Sequence, residues 1–527
     1  MGEVLLFSRK EILMIPFGRE LLKISRLDAD NISKNELVTE RIVKELSWIS
    51  KFAFDDDYQR YKSAKLDPIK GEIYSTYANM PLLSDIIEYR FPVLHTLSKQ
   101  FADGQLLYAA QIKIAFEKDK DEILNTIFNE KIELQIIDIL LGEGDRHNQG
   151  KSTSIVILSS GKKIVYKPRG SNTEQAFHQI IDSLNSSKLG LEFRYAEVLN
   201  RKTYSWIEYI EYRPLASSCA STSYYLRCGG LLALMFAIRA TDLHFENIIA
   251  SGEFPYLIDL ECILENSLEN FSVRTTGLLP ELINFCGEHE DDSLVDISGF
   301  GGEGGSKLSS KNWSWVDSFT DNQRLERRQA ILPKSRNIPY IDEHFFTAQD
   351  HLEQIIEGFT AVFNWVSENK SILCQDGGLL SDFASNIEVR ILFRNTQEYR
   401  DIMENSLVPS ALSGAQDRSR NIRNYLKLYP VHLLLRGGED TDSIHSSEIE
   451  SLEQFDIPLF FANSAELSIY YSNQIIIKKY YEESPFNRLL RWVNRFDGEL
   501  CTEQITMIRR CFEERYQPRK SSVVKAV

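Results

Sequence analysis

The stretch Asp242-Leu243-His244-Phe245-Glu246-Asn247, followed by Pro255-Tyr256-Leu257-Ile258-Asp259-Leu260-Glu261, decides how this chain is read. An Asp, an Asn five residues on and an Asp twelve beyond that suit phosphoryl transfer. One carboxylate can take the proton of an attacking hydroxyl. The amide oxygen and the second carboxylate are hard oxygen ligands of the kind Mg²⁺ takes beside nucleotide phosphates. The spacing predicts a catalytic loop, a short apolar strand at Ile248-Ile249-Ala250, a turn at Ser251-Gly252-Glu253 and a strand delivering Asp259. The plainer alternative is a hairpin in which Asp and Asn serve only as turn residues.

An apolar helix over 224–240 leads into this stretch. Further upstream, residues 142–150 (Gly-Glu-Gly-Asp-Arg-His-Asn-Gln-Gly) form a Gly-bounded polar loop. Two β-branched runs, 154–158 and 163–167, flank Ser159-Ser160-Gly161-Lys162 and predict a hairpin. A helix over 173–184 and strands over 193–199 and 204–212 follow. Loop, hairpin, Lys167 on the second strand, helix and strands come in the order of a kinase small lobe. There Lys167 would meet nucleotide phosphates and Glu174 would hold it. Residues 1–105 read mostly as helix, with helical spacing at 40–54 and 82–97, and two more helices are expected before 142, the second over 121–141. Downstream, the Gly-rich run 296–305 reads as a flexible loop and 343–366 as a helix. Residues 389–402 carry Arg390, Arg394, Thr396 and Arg400. Mixed segments run on to Phe496, a helix follows, and the residues after Pro518 are expected to fray.

Composition narrows the function. Of 527 residues, 43% are hydrophobic and 26% charged, the balance of a globular chain with ample core. Lys plus Arg number 60 against 76 Asp plus Glu, a net charge of −16, which argues against a general nucleic-acid binder. Seven Cys, an odd number without a CxxC, indicate neither a disulfide framework nor a zinc ribbon, and fit a reducing cytoplasm. Arg9, Lys10 and Glu11 interrupt the N-terminal apolar residues, so no signal peptide is expected, and the longest apolar run, 229–238, is too short for a transmembrane segment. Two motifs fail on context. Residues 299–304 spell GxGxxG without a surrounding βαβ unit. The run from Gly144 to Lys151-Ser152 nearly spells a phosphate-binding loop, but has one residue too many and precedes a strand. His147 and His244 have no Cys at metal-ligand spacing; each sits two residues after an Asp in a turn-flanked loop.

Taken together, these segments resemble the dehydratase domain of class II lanthipeptide synthetases, the LanM family. Residues 144–150 look like its GDxHxxG loop, and Val165-Tyr166-Lys167-Pro168-Arg169 like its VYKPR strand. Thr241 through Glu261 look like TDxHxEN…IDLE, and Thr276-Gly277-Leu278-Leu279-Pro280 matches tGLLP. Residues 390–399 match RxxxRxTxxY, and Phe455-Asp456-Ile457-Pro458 resembles GDIP with Phe in place of Gly. The likeness covers almost the whole chain. The HPxxLR-like segment expected after Arg400 is not found around 410–420, and the family's C-terminal zinc cyclase has no counterpart in these residues.

The resemblance implies an α+β, lipid-kinase-like two-lobed fold with additional, mostly helical N- and C-terminal subdomains. The expected regions are a helical one at 1–105, a small lobe at 106–225, a catalytic core at 226–300 and a C-terminal region at 301–527 carrying the elimination residues. It also implies a cytoplasmic enzyme that uses ATP, retains ADP and needs Mg²⁺. Such an enzyme phosphorylates Ser and Thr of a leader-bearing precursor peptide, then eliminates the phosphate to give dehydroalanine and dehydrobutyrine. Carried over by motif, Lys167 and Arg169 would bind phosphates, Asp242 would activate the hydroxyl with His244 beside it, and Asn247, Asp259 and Glu261 would surround the metal. Arg390 and Thr396 would hold the departing phosphate, with Asp145 and His147 as candidates for acid–base work. No zinc and no nucleic acid are expected, and ring closure would fall to a separate cyclase or not occur. The competing reading is a kinase that stops at phosphorylation of a peptide or small molecule; it has no evident need of Arg390 and Thr396.

Overall fold

The computed structural model describes residues 36–516 except 66–70, 81–82, 131–132, 267, 269, 284–293, 303, 385–386, 430 and 432–437. The expectations for residues 1–35 and for the tail after Pro518 lie outside the described residues. The fold mixes helices with small antiparallel sheets, an α+β arrangement. Five strands form the sheet nearest the site: β1 (Ile136–Leu140), β2 (Ser154–Leu158), β3 (Lys163–Lys167), β4 (Val198–Asn200) and β5 (Ser205–Glu208), in the order β1-β2-β3-β5-β4. Alternation sets its faces. Val156, Leu158, Ile164, Tyr166 and Trp206 point into an apolar cluster built on the helices Glu36–Ser63 and Pro92–Ile123. Asp119 of the second helix fastens the sheet to it. That carboxylate accepts from Trp206 Nε1 at 3.0 Å, Tyr204 Oη at 2.7 Å and Arg201 Nε at 3.0 Å. The other face, through Val198 and Ile207, packs on Ile249 of a hairpin formed by β6 (Ile248–Ser251) and β7 (Phe254–Leu257).

A second large apolar cluster surrounds the helix Ala220–Ala237. Its thirteen buried residues leave little polar face, so the helix must be enclosed on all sides. The helix Leu352–Glu368 lies against it so closely that side chains are excluded at the crossing. A Cβ at Gly358 would come 1.8 Å from the Leu226 carbonyl oxygen, and one at Gly229 would come 2.0 Å from that of Ile355. A four-stranded sheet, Glu388–Ile391, Phe460–Asn463, Ile469–Tyr471 and Gln474–Ile477 in that order, packs into the same cluster.

Several sequence expectations need correction. No helix spans 121–141. The helix from Pro92 ends at Ile123, a wide turn Leu124–Phe128 follows, Asn129 closes it at φ +47°, and the β-branched run 136–140 is strand β1. The helical pattern over 82–97 is two helices, because Pro92 starts a new one. Residue 105 lies inside that continuous helix. The helix expected over 343–366 starts only at Leu352, since Tyr340–Ile341 and His344–Phe345 make a small hairpin around Asp342. The strand readings at 193–199 and 204–212 shorten to β4 and β5. Residues 389–402 divide into the strand Glu388–Ile391 and the helix Thr396–Asn405.

Gly358→Val is expected to lower stability by about 2–3 kcal/mol through overpacking. A reduced midpoint of chemical denaturation, with near-native far-UV circular dichroism in buffer, would show it; an unchanged midpoint would mean the crossing tolerates a side chain.

Candidate functional site

The β6–β7 register carries the chemistry-bearing residues to one end of the hairpin. Ile248 pairs with Leu257, and beyond that pair Ile258 N donates to Asn247 O at 3.0 Å. One step further Thr241 N donates to Cys262 O at 2.7 Å. Asn247 and Asp242 on one arm therefore meet Asp259 and Glu261 on the other. Asn247 Nδ2 donates to Asp242 O at 2.8 Å, so the amide closes the loop and keeps its oxygen for another partner. Asp242 has φ +62°, a left-handed conformation in a residue with a Cβ, and such strain gathers at functional sites.

What holds this loop is the run read from sequence as a flexible Gly-rich loop, and that reading is corrected. Phe245 N donates to Ile297 O at 3.0 Å, Gly299 N to Gly277 O at 2.9 Å and Phe300 N to Leu278 O at 2.8 Å. A Cβ at Gly299 would lie 2.7 Å from Leu243 O. Glycine is there to let backbone touch backbone, not to cradle a dinucleotide, which agrees with rejecting the GxGxxG match. The tGLLP segment is the layer between: Leu243 N donates to Thr276 O at 3.0 Å.

Lys167 and Arg169 reach the hairpin from the end of β3. Lys167 Nζ is buried and lies 3.0 Å from Ile258 O, 3.3 Å from Asp259 Oδ1 and 3.5 Å from Glu174 Oε1. Arg169 Nη2 contacts Glu174 Oε1 at 3.0 Å and Asp259 Oδ1 at 3.2 Å. Burial alone would raise the Asp259 carboxyl, but Lys167 and Arg169 beside it hold it at about 2. Glu174 is held down in the same way, with burial overcome by Arg169 and then Lys167. Asp242 goes the other way. The residue is exposed, yet desolvation by its surround pushes its carboxyl above the usual range; His244 and Arg390 pull it down, while Glu261 and Asp259 push it up.

Arg390 joins this cluster to a second one. It sits on the edge strand Glu388–Ile391, where its N–H donates to Glu261 O at 3.0 Å. Its guanidinium pairs with the Glu261 carboxylate through Nη1 and with Asp145 Oδ2 through Nη2 at 3.2 Å. Asp145 Oδ1 also takes Arg400 Nη2 at 2.7 Å. Burial opposes ionisation of Asp145, but Arg390 and Arg400 keep it below the usual carboxylate range. Arg400 lies one turn beyond Thr396 on the helix Thr396–Asn405, so the two residues share one face of that helix. That helix begins with a capping box: Glu398 N donates to Asn395 Oδ1 at 2.9 Å and Asn395 N to Glu398 Oε2 at 3.2 Å.

The loop 142–150 is pinned from the far end of the chain. Gln149 N and Gly150 N donate to Asp456 at 2.6 and 3.0 Å, and Ile457 N donates to Arg146 O at 2.9 Å. His147 Nδ1 lies 2.7 Å from Ile457 O. A carbonyl only accepts, so Nδ1 carries the proton and Nε2 has the lone pair. Burial and the Arg390 charge lower the His147 pKa, which keeps the ring neutral. His244 is the opposite tautomer when neutral: its Nδ1 accepts from Glu246 N at 3.3 Å, leaving the proton on Nε2.

The structure thus brings Lys167, Arg169, Asp242, His244, Asn247, Asp259, Glu261, Asp145, His147, Arg390 and Thr396 to one region. Among the described residues no three His, Cys, Asp or Glu side chains converge as a metal cage. Asp259 and Asn247 offer one carboxylate and one amide oxygen, the sparse protein share Mg²⁺ takes when phosphates complete its shell. Glu261, the third expected ligand, instead turns its two oxygens to Arg390 and, at 3.9 Å, to Arg169. Sequence reasoning passed over the supporting roles of Arg400 and Asp456. The Asn395–Glu398 capping spacing would have put Arg400 on the face of Thr396; the GDIP-like run marks Asp456, but nothing local signals its partners, which lie about three hundred residues away.

Arg394, the second arginine of its motif, is structural. Its side chain is 1% exposed and pairs at 2.7 Å with Glu448, which is 0% exposed; Tyr399 Oη also donates to that carboxylate at 2.8 Å. Arg394→Ala is expected to cost about 3–5 kcal/mol by stranding a buried charge. Thermal unfolding of Arg394→Ala beside Arg394→Ala/Glu448→Leu tests this, with the double variant recovering part of the loss. Equal melting for parent and single variant would contradict it.

A family model described as a domain of unknown function, DUF4135, matches residues 91–463, a span that holds every site residue named above. The chain is also similar to a protein of Lactococcus lactis subsp. lactis described as lacticin 481/lactococcin biosynthesis protein LcnDR2. The two are 27% identical over 406 residues, 71% of this chain and 41% of the relative. The chain therefore spans about two fifths of the length of that relative.

Proposed function

The chain belongs to the DUF4135 family, and on that premise we propose that it is a lanthipeptide dehydratase. It phosphorylates Ser and Thr of a leader-bearing precursor peptide and then eliminates the phosphate. The similarity to a lacticin 481/lactococcin biosynthesis protein of Lactococcus supports the pathway. The observation that carries the two-step chemistry is the shared arginine: Arg390 pairs with Glu261 beside the Asp259 cluster and with Asp145 beside Arg400, so transfer and departure border one site. A sheet bearing Lys167 over a body bearing the Asp242 loop also supports a lipid-kinase-like pair of lobes.

Bound nucleotide with Mg²⁺ would supply the phosphoryl group and neutralise its charge, and Asp259 and Asn247 are the residues suited to hold that ion. Lys167 and Arg169 bind phosphate oxygens. Asp242 takes the proton of the peptide hydroxyl as the hydroxyl oxygen bonds to phosphorus and the bond from phosphorus to the departing nucleoside diphosphate would break; its raised pKa makes it a better base than an ordinary carboxylate. For elimination, the His147 Nε2 lone pair accepts the Cα proton. The freed electron pair becomes the Cα–Cβ double bond, and the Cβ–O bond breaks. Arg390, Arg400 and Thr396 hold the leaving phosphate by charge and hydrogen bond. Asp145, kept ionised, orients the two arginines and gives up no proton.

Asp259→Ala is expected to abolish all modification of a precursor peptide. Arg390→Ala and Thr396→Ala are expected to spare phosphorylation and slow elimination on the order of 10²–10³, so that phosphopeptide accumulates in mass spectra. Water loss at the parent rate in both variants would refute the elimination roles; a parent that stops at phosphopeptide would leave a kinase.

A pH profile checks Asp242 separately. Its proton must be absent for catalysis, so the rate of the phosphorylation step falls as pH drops through its raised pKa. The acid limb of kcat/KM, read on phosphopeptide formation, is therefore expected above the ordinary carboxylate value of about 4. A limb at or below that value would contradict the assignment.

A further inference from the structure

Among the described residues five cationic side chains are at most 5% exposed: Lys51, Lys167, Arg239, Arg394 and Arg418. Four of them face a carboxylate. Lys51 pairs with Glu404, Lys167 with Asp259 at 3.3 Å, Arg239 with Glu265 at 3.1 Å and Arg394 with Glu448 at 2.7 Å. Arg418 forms no ion pair among the described residues. It donates from Nη1 to Glu453 O at 2.6 Å and from Nη2 to Leu452 O at 2.8 Å, and its buried Nε has no acceptor. Burial lowers its pKa, with Glu453 opposing, but only to about 10, so the guanidinium stays charged. A buried charge without a counter-ion is strongly destabilising, and the other four cations show how this chain supplies one from within. Arg418 instead lines a cavity of about 370 Å³. We propose that this cavity binds a carboxylate of the peptide substrate, from a Glu or Asp side chain with a branched aliphatic neighbour. This rests on the peptide-modifying reading and names how the peptide is gripped apart from its reacting Ser or Thr.

Two helix starts reinforce the charge. The helix Pro92–Ile123 has no side-chain cap at Phe91, and the helix Ala415–Leu426 has none at Gly414. Val93 and Ala415, in the first turns of these helices, belong to the cavity wall, so two positive helix ends adjoin it. Pro92, Val93 and Leu97 give the cavity an apolar side, which suits a Leu, Ile or Val beside the acid. Its volume admits one or two side chains and not a folded domain. Glu453 is the carboxylate on the wall. It is exposed and forms no ion pair with Arg418, so it opposes an incoming anion without taking its place. The cavity is also joined to the elimination loop. Leu452 and Glu453, whose carbonyls Arg418 holds, end the helix Gly438–Glu453. Three residues on, Asp456 accepts from Gln149 N and Gly150 N in the loop of His147. A peptide seated on Arg418 is therefore one helix end away from the loop that would act on it.

The test uses full-length protein and two capped tripeptides, acetyl-Leu-Glu-Leu-amide and acetyl-Leu-Gln-Leu-amide, titrated by saturation-transfer NMR, which reads weak binding. The Glu peptide should bind about tenfold more tightly than the Gln peptide, the effect of one charge-assisted contact. Glu453→Gln should tighten the Glu peptide roughly threefold, a gain that a damaged fold cannot give. Gln100→Glu, on the exposed rim, should weaken it by about the same factor, and Gln474→Glu, an equal charge change elsewhere, should do neither. In Arg418→Met the two peptides should bind alike; if that variant does not fold, the two rim variants still decide. Equal binding of both peptides to the parent protein overturns the proposal, and so does a Glu453→Gln protein that binds the Glu peptide no more tightly. Inorganic phosphate that displaces the Glu peptide and binds more tightly than it does overturns the proposal too. Binding needs no turnover. A Glu peptide held by a protein that never modifies a precursor sinks the dehydratase reading alone, and modification with a precursor KM unchanged by Gln100→Glu and Glu453→Gln sinks the docking alone.

Discussion

The two-sided grip of Arg390 is the interaction on which the site depends. A guanidinium is planar, permanently charged and able to serve two carboxylates at once. Arg390 uses that capacity across long stretches of chain, meeting Glu261 after the β6–β7 hairpin and Asp145 in the loop before β2. Its own backbone N–H is tied to Glu261 O at 3.0 Å, so strand and hairpin end are locked in register. Removing one carboxylate would leave a buried cation half-paired, which is costly. Exchange of a carboxylate for a phosphate would not be, because both present paired oxygens to the same fork.

Around that grip, rigidity comes from backbone contacts. The strained Asp242 conformation is bearable because Leu243 and Phe245 are fixed by main-chain bonds to Thr276 and Ile297, in two segments that Gly299 N and Gly277 O tie together. The loop at 142–150 is fixed by the Asp456 carboxylate and by Ile457. Arg394 anchors the helix of Thr396 and Arg400 from behind, through Glu448 and Tyr399. Two loops and one helix that carry site residues are thus each held by a distant part of the chain.

Much of this was legible in sequence where the signal is local. The Lys167 strand, the helix after it and the β6–β7 hairpin follow from alternation, turn residues and helical spacing. The failures are tertiary. Residues 136–140 carry apolar residues at a spacing that fits helix or strand, and only pairing with β2 decides between them. The Gly-rich run 296–305 lacks any side-chain pattern, and its role as a packed support appears only when Leu243 and Gly277 lie against it. The resemblance put Glu261 beside the metal; its pairing with Arg390, far along the chain, is a contact that no local signal gives.

The most direct measurement is time-resolved mass spectrometry of a precursor peptide incubated with the parent protein, ATP and Mg²⁺. If transfer and elimination share the Arg390 site, phosphopeptide appears first, stays transient, and gives way to products that have lost one water per modified Ser or Thr. Accumulation of phosphopeptide as the end product, or water loss without ATP, would contradict the shared site.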